Sequence, residues 1–353
     1  MSTNSSARHR FSFLDGMRGI AALFVVMRHA EEFWGERFFR SYLAVDLFFV
    51  LSGFVIASAY DEKIRTGAMS LWAFVKVRLI RLYPVYLLSI VVSAAVLFML
   101  GSPKLVNRAD VVPLALLTAL FVPARLPGAM ALFSLNGVYW SLFYELIANF
   151  IYAATRPWLS NVVLHTCVLL LGLILSVGAS VNGGIDMGVA CSITSIAAGC
   201  IRGGFGVFMG LLLYRHRDLA LGRLTQRISP WVALLLMTLV LVSPSAGRFN
   251  VPVDLLVVTI LFPLCVLVAS HGVANRMGGL LYTLGVASYP IYVLHVPLGL
   301  LLPIEFADTA LGGAPTSGIV LMTVLVLLAV WIEKYCDLPV RRWLTGKAFK
   351  QPT

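Results

Sequence analysis

Long apolar segments recur along the whole chain, separated by short polar stretches. A helix needs about 20 predominantly apolar residues to cross the hydrocarbon core of a bilayer. Ten segments approach this length: 18–35, 42–60, 79–100, 138–155, 161–181, 190–213, 229–246, 252–270, 281–303 and 314–334. The pattern predicts an all-α fold, a polytopic integral membrane bundle of about ten transmembrane helices.

The loops between these segments carry most of the basic residues. With a cytoplasmic N-terminus and ten spans, the basic loops 61–78 and 214–228 and the C-terminal tail all lie in the cytoplasm. This agrees with the positive-inside rule, which places lysine- and arginine-rich loops there. The short segment 111–123 could be a further span, a re-entrant segment or an interfacial helix. Counting it as a span would put 214–228 outside, so we predict ten spans with both termini cytoplasmic.

Composition supports the membrane assignment. Of 353 residues, 59% are hydrophobic and 12% are charged, whereas soluble proteins carry about 25% charged residues. The net charge of +11 lies in loops and does not form a nucleic-acid-binding face, so we expect no nucleic-acid partner. The five cysteines show no metal-ligand spacing, and we predict neither a disulfide framework nor a metal site. We predict one transmembrane domain over 1–353, with tails at 1–13 and 344–353 and a retained first helix.

Two polar residues in the first apolar segment lie eleven positions apart. Arg18 and His29 are separated by about 16 Å of helical rise and share nearly the same helix face. Arg18 is expected at the cytoplasmic edge and His29 toward the outer side, so both could line one functional stripe. Alternatively, Arg18 extends to the lipid headgroups and His29 is a hydrogen-bonded core histidine.

Two further arginines open the third segment at its cytoplasmic end. Arg78 and Arg81 lie three residues apart on one helix face. Two fixed guanidinium groups suit a ligand that carries phosphate. The alternative is that they only anchor the helix at the cytoplasmic surface.

Ionisable residues also fall in the outer parts of other segments. Glu145 shares a helix face with Ser141, and we expect it at the depth of His29, where His29 or Arg202 could pair with it. His295 follows Pro290, which can kink its helix, or it is simply a buried histidine. Asp46 lies near the outer end of the second segment. Considered alone, it is interpreted as an interfacial charge or a helix cap.

Together these residues carry a resemblance that covers nearly the whole chain. The sequence resembles the membrane-bound acyltransferase 3 family of bacterial sugar O-acyltransferases. The matching motifs are Leu14-Asp15-Gly16-Met17-Arg18-Gly19, the spacing from Arg18 to His29, Val45 to Phe54, Arg78-x-x-Arg81 before Tyr83-Pro84, Trp140-Ser141-Leu142-x-x-Glu145, Ser288-Tyr289-Pro290-Ile291-Tyr292-x-x-His295, and Glu333 with Pro339 and Arg341-Arg342.

The resemblance implies a ten-helix core, a cytoplasmic acyl-coenzyme A donor and a hydroxyl acceptor outside the cytoplasm. It implies a multi-pass protein of the bacterial inner membrane with no permanently bound cofactor. It makes His29 the central catalytic residue, and we group Glu145 and Asp46 with it. Donor binding is expected at Arg18, Arg78, Arg81 and Tyr83. Supporting roles are expected for Ser52, Trp140, Ser141, Arg202, Tyr292 and His295.

This resemblance favours O-acetyl transfer to a glycan or a small molecule, although a succinyl group also fits. A histidine near its reference pKa suits deprotonation of a sugar hydroxyl, and His29 could instead carry the acyl group covalently. Two alternatives remain. The same residues could form the proton relay of a transporter, or the chain could be a structural subunit of a polysaccharide assembly complex.

Overall fold

The computed structural model describes residues 11–100, 107–125, 130–272, 277–301 and 313–348, and within these ranges the fold is all-helical. Short helical turns lie at Glu31–Trp34, Phe39–Leu43, Arg156–Trp158, Ala220–Thr225 and Gly247–Phe249. The longer helices are α1 (Ser12–His29), α2 (Ala44–Arg65), α3 (Leu71–Leu100), α4 (Arg108–Ala119), α5 (Tyr139–Thr155), α6 (Asn161–Asn182), α7 (Ile193–His216), α8 (Pro230–Val242), α9 (Asn250–Leu256, a π-helical segment Val257–Leu261, and Phe262–Ser270), α10 (Gly278–Gly299), α11 (Thr316–Ile332, followed by a π-helical turn Glu333–Asp337) and α12 (Leu338–Ala348).

Seven helical stretches in the described ranges are long and apolar enough to cross a membrane. They are Phe39–Arg65, Leu71–Leu100, Asn161–Asn182, Ile193–His216, Gly247–Ser270, Gly278–Gly299 and Thr316–Ala348. The other three predicted segments also form helices, but α5 has 17 residues and α8 has 13. Helix α1 includes Asp15, Arg18 and Arg28 among its 18 residues. A multi-pass membrane bundle is therefore confirmed, whereas the count of ten and the cytoplasmic termini stay predictions.

Helix α1 lies inside the bundle and packs along α10. We call the end of the bundle where α1 begins the inner end and the opposite end the outer end. Gly16 contacts Leu281 near the inner end, and His29 contacts His295 near the outer end, so the two helices run in parallel. Because neighbouring helices bury α1, it can carry polar residues that a lipid-facing helix could not.

Glycines allow α2 and α7 to pack closely. A Cβ atom on Gly210 would lie 2.1 Å from the carbonyl oxygen of Val50, and one on Gly206 would lie 2.4 Å from the Cβ of Phe49. A Cβ on Gly53 of α2 would lie 1.9 Å from the carbonyl oxygen of Val207. Close helix contacts of this kind are typical of small residues four positions apart, such as Gly206 and Gly210.

The segment that the sequence left open forms the short helix α4, which does not cross the bundle. Arg108 lies over the ring of Phe98 near the outer end of α3. Eleven residues later, Ala119 accepts a hydrogen bond from Tyr83 in the inner half of α3. The chain then returns outward, because Met130 pairs with Cys191 in the loop before α7. Of the three possibilities, the structure selects the re-entrant one.

Two predicted boundaries differ from the structure. Helix α1 begins at Ser12, six residues before the predicted first segment and inside the predicted tail 1–13. Its first turns are polar enough to interrupt the apolar pattern, but packing against α10 keeps them helical. At the other end, α12 continues to Ala348 and includes the first residues of the predicted tail 344–353. Residues 1–10 and 349–353 lie outside the described ranges.

Candidate active site

A cavity of about 370 Å³ opens between α1, α2, α3, α5, α10 and α12. Its lining contains four guanidinium groups and one carboxylate. Three of the arginines are those that the sequence assigned to a phosphate-bearing donor, and they come from two different helices. Much of the remaining wall is apolar and comes from α2, so the cavity has a charged side and an apolar side. The charged lining residues are Arg18, Arg78, Arg81, Arg341 and Glu145.

Glu145 lies on the charged side of this cavity. Its Oε1 accepts hydrogen bonds from Arg78, at 2.9 Å, and from the Ser52 hydroxyl, at 2.6 Å. The structure therefore does not bring Glu145 together with His29 or Arg202, the partners expected from the sequence. It lies deeper because the chain enters the bundle before α5 begins: Asn136 already donates to the carbonyl of Val293 in α10, at 3.0 Å.

The other two predicted donor arginines also face the cavity. Arg81 pairs with the buried Asp337 at 3.4 Å and lies over the ring of Tyr289. Arg18 makes no hydrogen bond or ion pair to any residue of the described ranges, although it lines the cavity. An unpaired guanidinium beside an apolar wall is costly unless a ligand or water satisfies it. Arg18 is thus well placed to bind an anionic ligand.

Aromatic and hydroxyl side chains form the cavity wall nearest the histidines. Phe48, Ser141 and Tyr292 all line the cavity. The Ser141 and Tyr292 hydroxyls are 2.6 Å apart, and the rings of Phe48 and Tyr292 meet edge to face. The ring of Tyr292 is 6.1 Å from the ring of His295. This wall therefore stands between the cavity and the histidine pair.

His29 and His295 lie together at the outer end of α1 and α10. His29 is exposed and His295 is buried, and Nδ1 of His29 is 3.2 Å from Nε2 of His295. The predicted stripe is thus only partly formed: Arg18 faces the cavity, whereas His29 is not among the residues that line it. The contact between the two histidines was not predicted: the sequence placed each of them toward the outer side, and the packing of α1 along α10 brings them together.

The hydrogen bonds of the pair assign its protons. Nδ1 of His295 lies 3.1 Å from the carbonyl of Ile291, and Nδ1 of His29 lies 2.9 Å from the carbonyl of Val25. A carbonyl oxygen can only accept, so each Nδ1 carries the proton in the neutral ring. Nε2 of His295 is then an acceptor toward His29. In this assignment no residue of the described ranges hydrogen-bonds to Nε2 of His29, so its lone pair is available, as a general base requires.

A second group of charges lies near the outer end, where Arg202 is fully buried. Its Nε and one terminal nitrogen bind both oxygens of Asp46, at 2.8 and 2.7 Å. Its other terminal nitrogen binds Asp186 and the carbonyl of Met187, both at 3.1 Å. Its guanidinium also lies 5.2 Å from the ring centre of Trp140. Asp46 is therefore buried in a bidentate ion pair, not interfacial as its place in the sequence suggested.

Sequence reasoning missed residues that continue this outer group. Asp186 also pairs with Arg28, one residue before His29, at 3.4 Å. Arg28 lies over the ring of Tyr42, whose hydroxyl donates to Asp254. Asp254 pairs in turn with Arg40 at 3.1 Å. These residues come from loops and helix ends, where charges look ordinary in a sequence, and no motif marks them.

Tyr83 is the predicted donor residue that the structure places elsewhere. Its hydroxyl donates to the Ala119 carbonyl at 3.0 Å, and its ring packs edge to face on Phe121. Tyr83 is not among the residues that line the cavity. In this position it holds the re-entrant helix α4 against α3.

Comparison with known proteins identifies a family for the chain. A family model described as an acyltransferase domain matches residues 11–333. Protein 2 in the picA locus of Rhizobium radiobacter is 44% identical over 164 residues, which are 42% of this chain and 84% of that protein. Staphylococcus aureus proteins whose names propose O-acetyltransferase activity are 34% identical over 98 residues. That match spans 27% of this chain and 15% of theirs.

No solved structure matches the chain significantly. The family match nevertheless covers most of the sequence and includes every residue that we assigned to a site from the sequence. Its description and the names of the relatives indicate transfer of acyl groups other than aminoacyl groups. The chain is a multi-pass membrane protein that belongs to the acyltransferase 3 family.

Proposed function

We propose that the chain is an O-acyltransferase that takes an acyl group, in the first instance acetyl, from cytoplasmic acyl-coenzyme A. The acceptor is a hydroxyl of a glycan or small molecule on the other side of the bacterial cytoplasmic membrane. Ten passes with both termini cytoplasmic place the arginine-lined mouth inside and His29 outside. One observation carries the proposal: the arginine cavity lies toward one end of α1, and His29, whose Nε2 has no hydrogen-bond partner among the described residues, lies at the other end.

The cavity supports the choice of donor. Coenzyme A carries a pyrophosphate and a 3′-phosphate, and guanidinium groups bind phosphate oxygens through charge-assisted hydrogen bonds. Arg18, Arg78 and Arg81 lie within one cavity, and Arg18 is without an ion-pair partner in the described ranges. The apolar wall from α2 suits the acyl-pantetheine arm. Along α1, about 16 Å of rise separates Arg18 from His29, which is of the order of an extended pantetheine arm.

The histidine pair supports the chemistry. Nε2 of His29 takes the proton of the acceptor hydroxyl while the oxygen attacks the thioester carbonyl. The carbon–sulfur bond then breaks, and the coenzyme A thiolate takes up a proton. A covalent acyl-imidazole would use the same Nε2. Either route requires the thioester to pass the wall of Phe48 and Tyr292, so that wall must open during turnover.

Purified protein in nanodiscs tests the proposal. With acetyl-coenzyme A and an acceptor mixture of cell-envelope glycans, we expect release of free thiol together with acetylated product. His29→Ala should lower the rate by about 10²- to 10⁴-fold, the usual contribution of a general base, and by more if a covalent intermediate forms. The affinity for acetyl-coenzyme A should stay unchanged, since His29 does not line the cavity.

A matched control is His165→Ala, which removes a histidine from the exposed side of α6 and should leave the rate unchanged. Wild-type rates in a well-folded His29→Ala variant would refute the catalytic role of His29. Absence of acetyl-coenzyme A binding by the wild-type protein would refute the assignment of the donor.

A further inference from the structure

The C-terminal helix α12 contributes to the cavity, although the family match ends at residue 333, before α12 begins. Arg341 and Thr345 of α12 line the cavity together with Arg18, Arg78 and Arg81. Its basic residues were expected in the cytoplasm, and Arg341-Arg342 was one of the motifs that carry the family resemblance, with no role assigned to it. In the structure, the Arg341 side chain reaches the same space as the arginines that we assign to donor binding.

Two buried carboxylates hold Arg341 in this place. Glu333 accepts a hydrogen bond from a terminal nitrogen of Arg341, and Asp337 lies 3.0 Å from Nε of Arg341. Both carboxylates belong to the π-helical turn that joins α11 to α12. Such π-helical turns occur frequently at functional sites because the extra residue turns side chains to new directions.

Asp337 also links Arg341 to Arg81. Its Oδ2 is 3.4 Å from a terminal nitrogen of Arg81, and its side chain is fully buried. Asp337 thus fixes guanidinium groups from two helices, α3 and α12. Arg341 is partly exposed, as Arg81 is, and Thr345, one turn further along α12, is exposed. Helix α12 therefore reaches the cavity at the rim of its inner mouth.

We infer that Arg341 binds the 3′-phosphate of the donor coenzyme A. This inference rests on the proposed function. The acyl group must point toward His29, so the adenosine end of the donor must lie at the inner mouth. The 3′-phosphate is the phosphate farthest from the thioester along the molecule, and Arg341 is the guanidinium on α12, whose other cavity residue, Thr345, is exposed at the rim. Arg18, Arg78 and Arg81 remain for the pyrophosphate, and Asp337 is a positioning residue for Arg81 and Arg341.

Binding of coenzyme A and of 3′-dephospho-coenzyme A tests this assignment. Isothermal titration calorimetry on the full-length wild-type protein in nanodiscs should show that coenzyme A binds about 10- to 100-fold more tightly than 3′-dephospho-coenzyme A. This is the usual contribution of a charge-assisted contact to affinity. In Arg341→Gln, the affinity for coenzyme A should fall until the two ligands bind about equally. The affinity for 3′-dephospho-coenzyme A should barely change.

The neighbouring residue offers a matched control. Arg342 is exposed and does not line the cavity, so Arg342→Gln makes the same charge change and should preserve the preference for coenzyme A. Arg341→Lys keeps the charge but loses the planar fork, and it should retain part of the preference. It also provides the comparison if Arg341→Gln does not fold.

The outcomes separate this inference from the proposed function. Equal binding of both ligands by the wild-type protein overturns the inference without any variant. An undiminished preference in Arg341→Gln or an equal loss of affinity for both ligands also overturns it, while thiol release by the wild-type protein would leave the proposed function intact. If the wild-type protein binds neither ligand, the proposed function fails as well.

Discussion

Two arginines of the bundle are used differently, Arg202 near the outer end and Arg18 near the inner end. Four of the five N–H donors of Arg202 are bound by Asp46, by Asp186 or by a backbone carbonyl, which leaves little for a ligand. At the inner end, Arg18 has no partner in the described ranges, and Arg78 uses one terminal nitrogen on Glu145. The same residue type therefore serves as a structural tie at one end and faces a cavity at the other.

This difference predicts which substitutions affect the stability of the protein and which affect its binding of ligand. A buried ion pair that is complete costs much to break, because removal of one partner leaves an uncompensated charge. A guanidinium that faces a cavity contributes little to folding but can bind an anion strongly. Changes at Asp46 and Arg202 should therefore act on the free energy of unfolding, and changes at the arginines that line the cavity on the affinity for the donor.

The largest effect should come from Asp46→Asn. Arg202 would lose its bidentate partner while remaining fully buried, and we expect the free energy of unfolding to fall by about 3–5 kcal/mol. Denaturation in detergent micelles measures this change. The affinity for acetyl-coenzyme A should stay the same in the protein that remains folded, because Asp46 does not line the cavity.

Asp186→Asn is the control for this variant. It removes a carboxylate from the same guanidinium, but the side chain of Asp186 is 40% exposed, so we expect a loss of at most about 1 kcal/mol. A normally stable Asp46→Asn variant that had lost acyl transfer would instead support the catalytic role that the sequence suggested for Asp46.

Arg18→Gln should have the next largest effect, and on binding rather than on stability. Loss of a guanidinium that contacts phosphate should weaken acetyl-coenzyme A binding by about 10- to 100-fold. The free energy of unfolding should change little, because no ion pair is broken. Arg28→Gln, on the same helix, is the matched control: Arg28 already pairs with Asp186 and lies over Tyr42, so donor affinity should not change. Equal affinities of the two variants for acetyl-coenzyme A would contradict the distinction between arginines that face the cavity and arginines held in ion pairs.

The sequence predicted the positions of the long helices well, because apolar length dominates where a membrane helix forms. It also brought together Arg18, Arg78 and Arg81, since their place at the inner ends of their segments is set by helix position alone. The depth of Glu145 was not predictable in this way. It depends on how far the preceding loop enters the bundle, which Asn136 shows through its contact with Val293.

Pairings between helices were not predictable from the motifs. The motifs of His29 and Glu145 suggested a pair that the structure does not form, and the contact between His29 and His295 was not predicted. Asp186 and Arg28 belong to no motif, because a charge near a helix end is ordinary in a membrane protein. Arg341 was placed in a basic C-terminal region and in a family motif without a role, since the π-helical turn that directs it into the cavity depends on packing that the apolar pattern does not record.

The smallest effect should come from Tyr83→Phe, which tests a residue that sequence and structure assign differently. Loss of the hydrogen bond to Ala119 should lower the free energy of unfolding by about 0.5–1.5 kcal/mol, while the affinity for acetyl-coenzyme A stays unchanged. Tyr86→Phe is the matched comparison, since its hydroxyl donates to Thr118 in the same re-entrant helix and is buried, so its loss should be at least as large. If Tyr83→Phe weakened donor binding at unchanged stability, Tyr83 would belong to the donor site. The donor site would then extend along α3 beyond Arg81, toward the outer end.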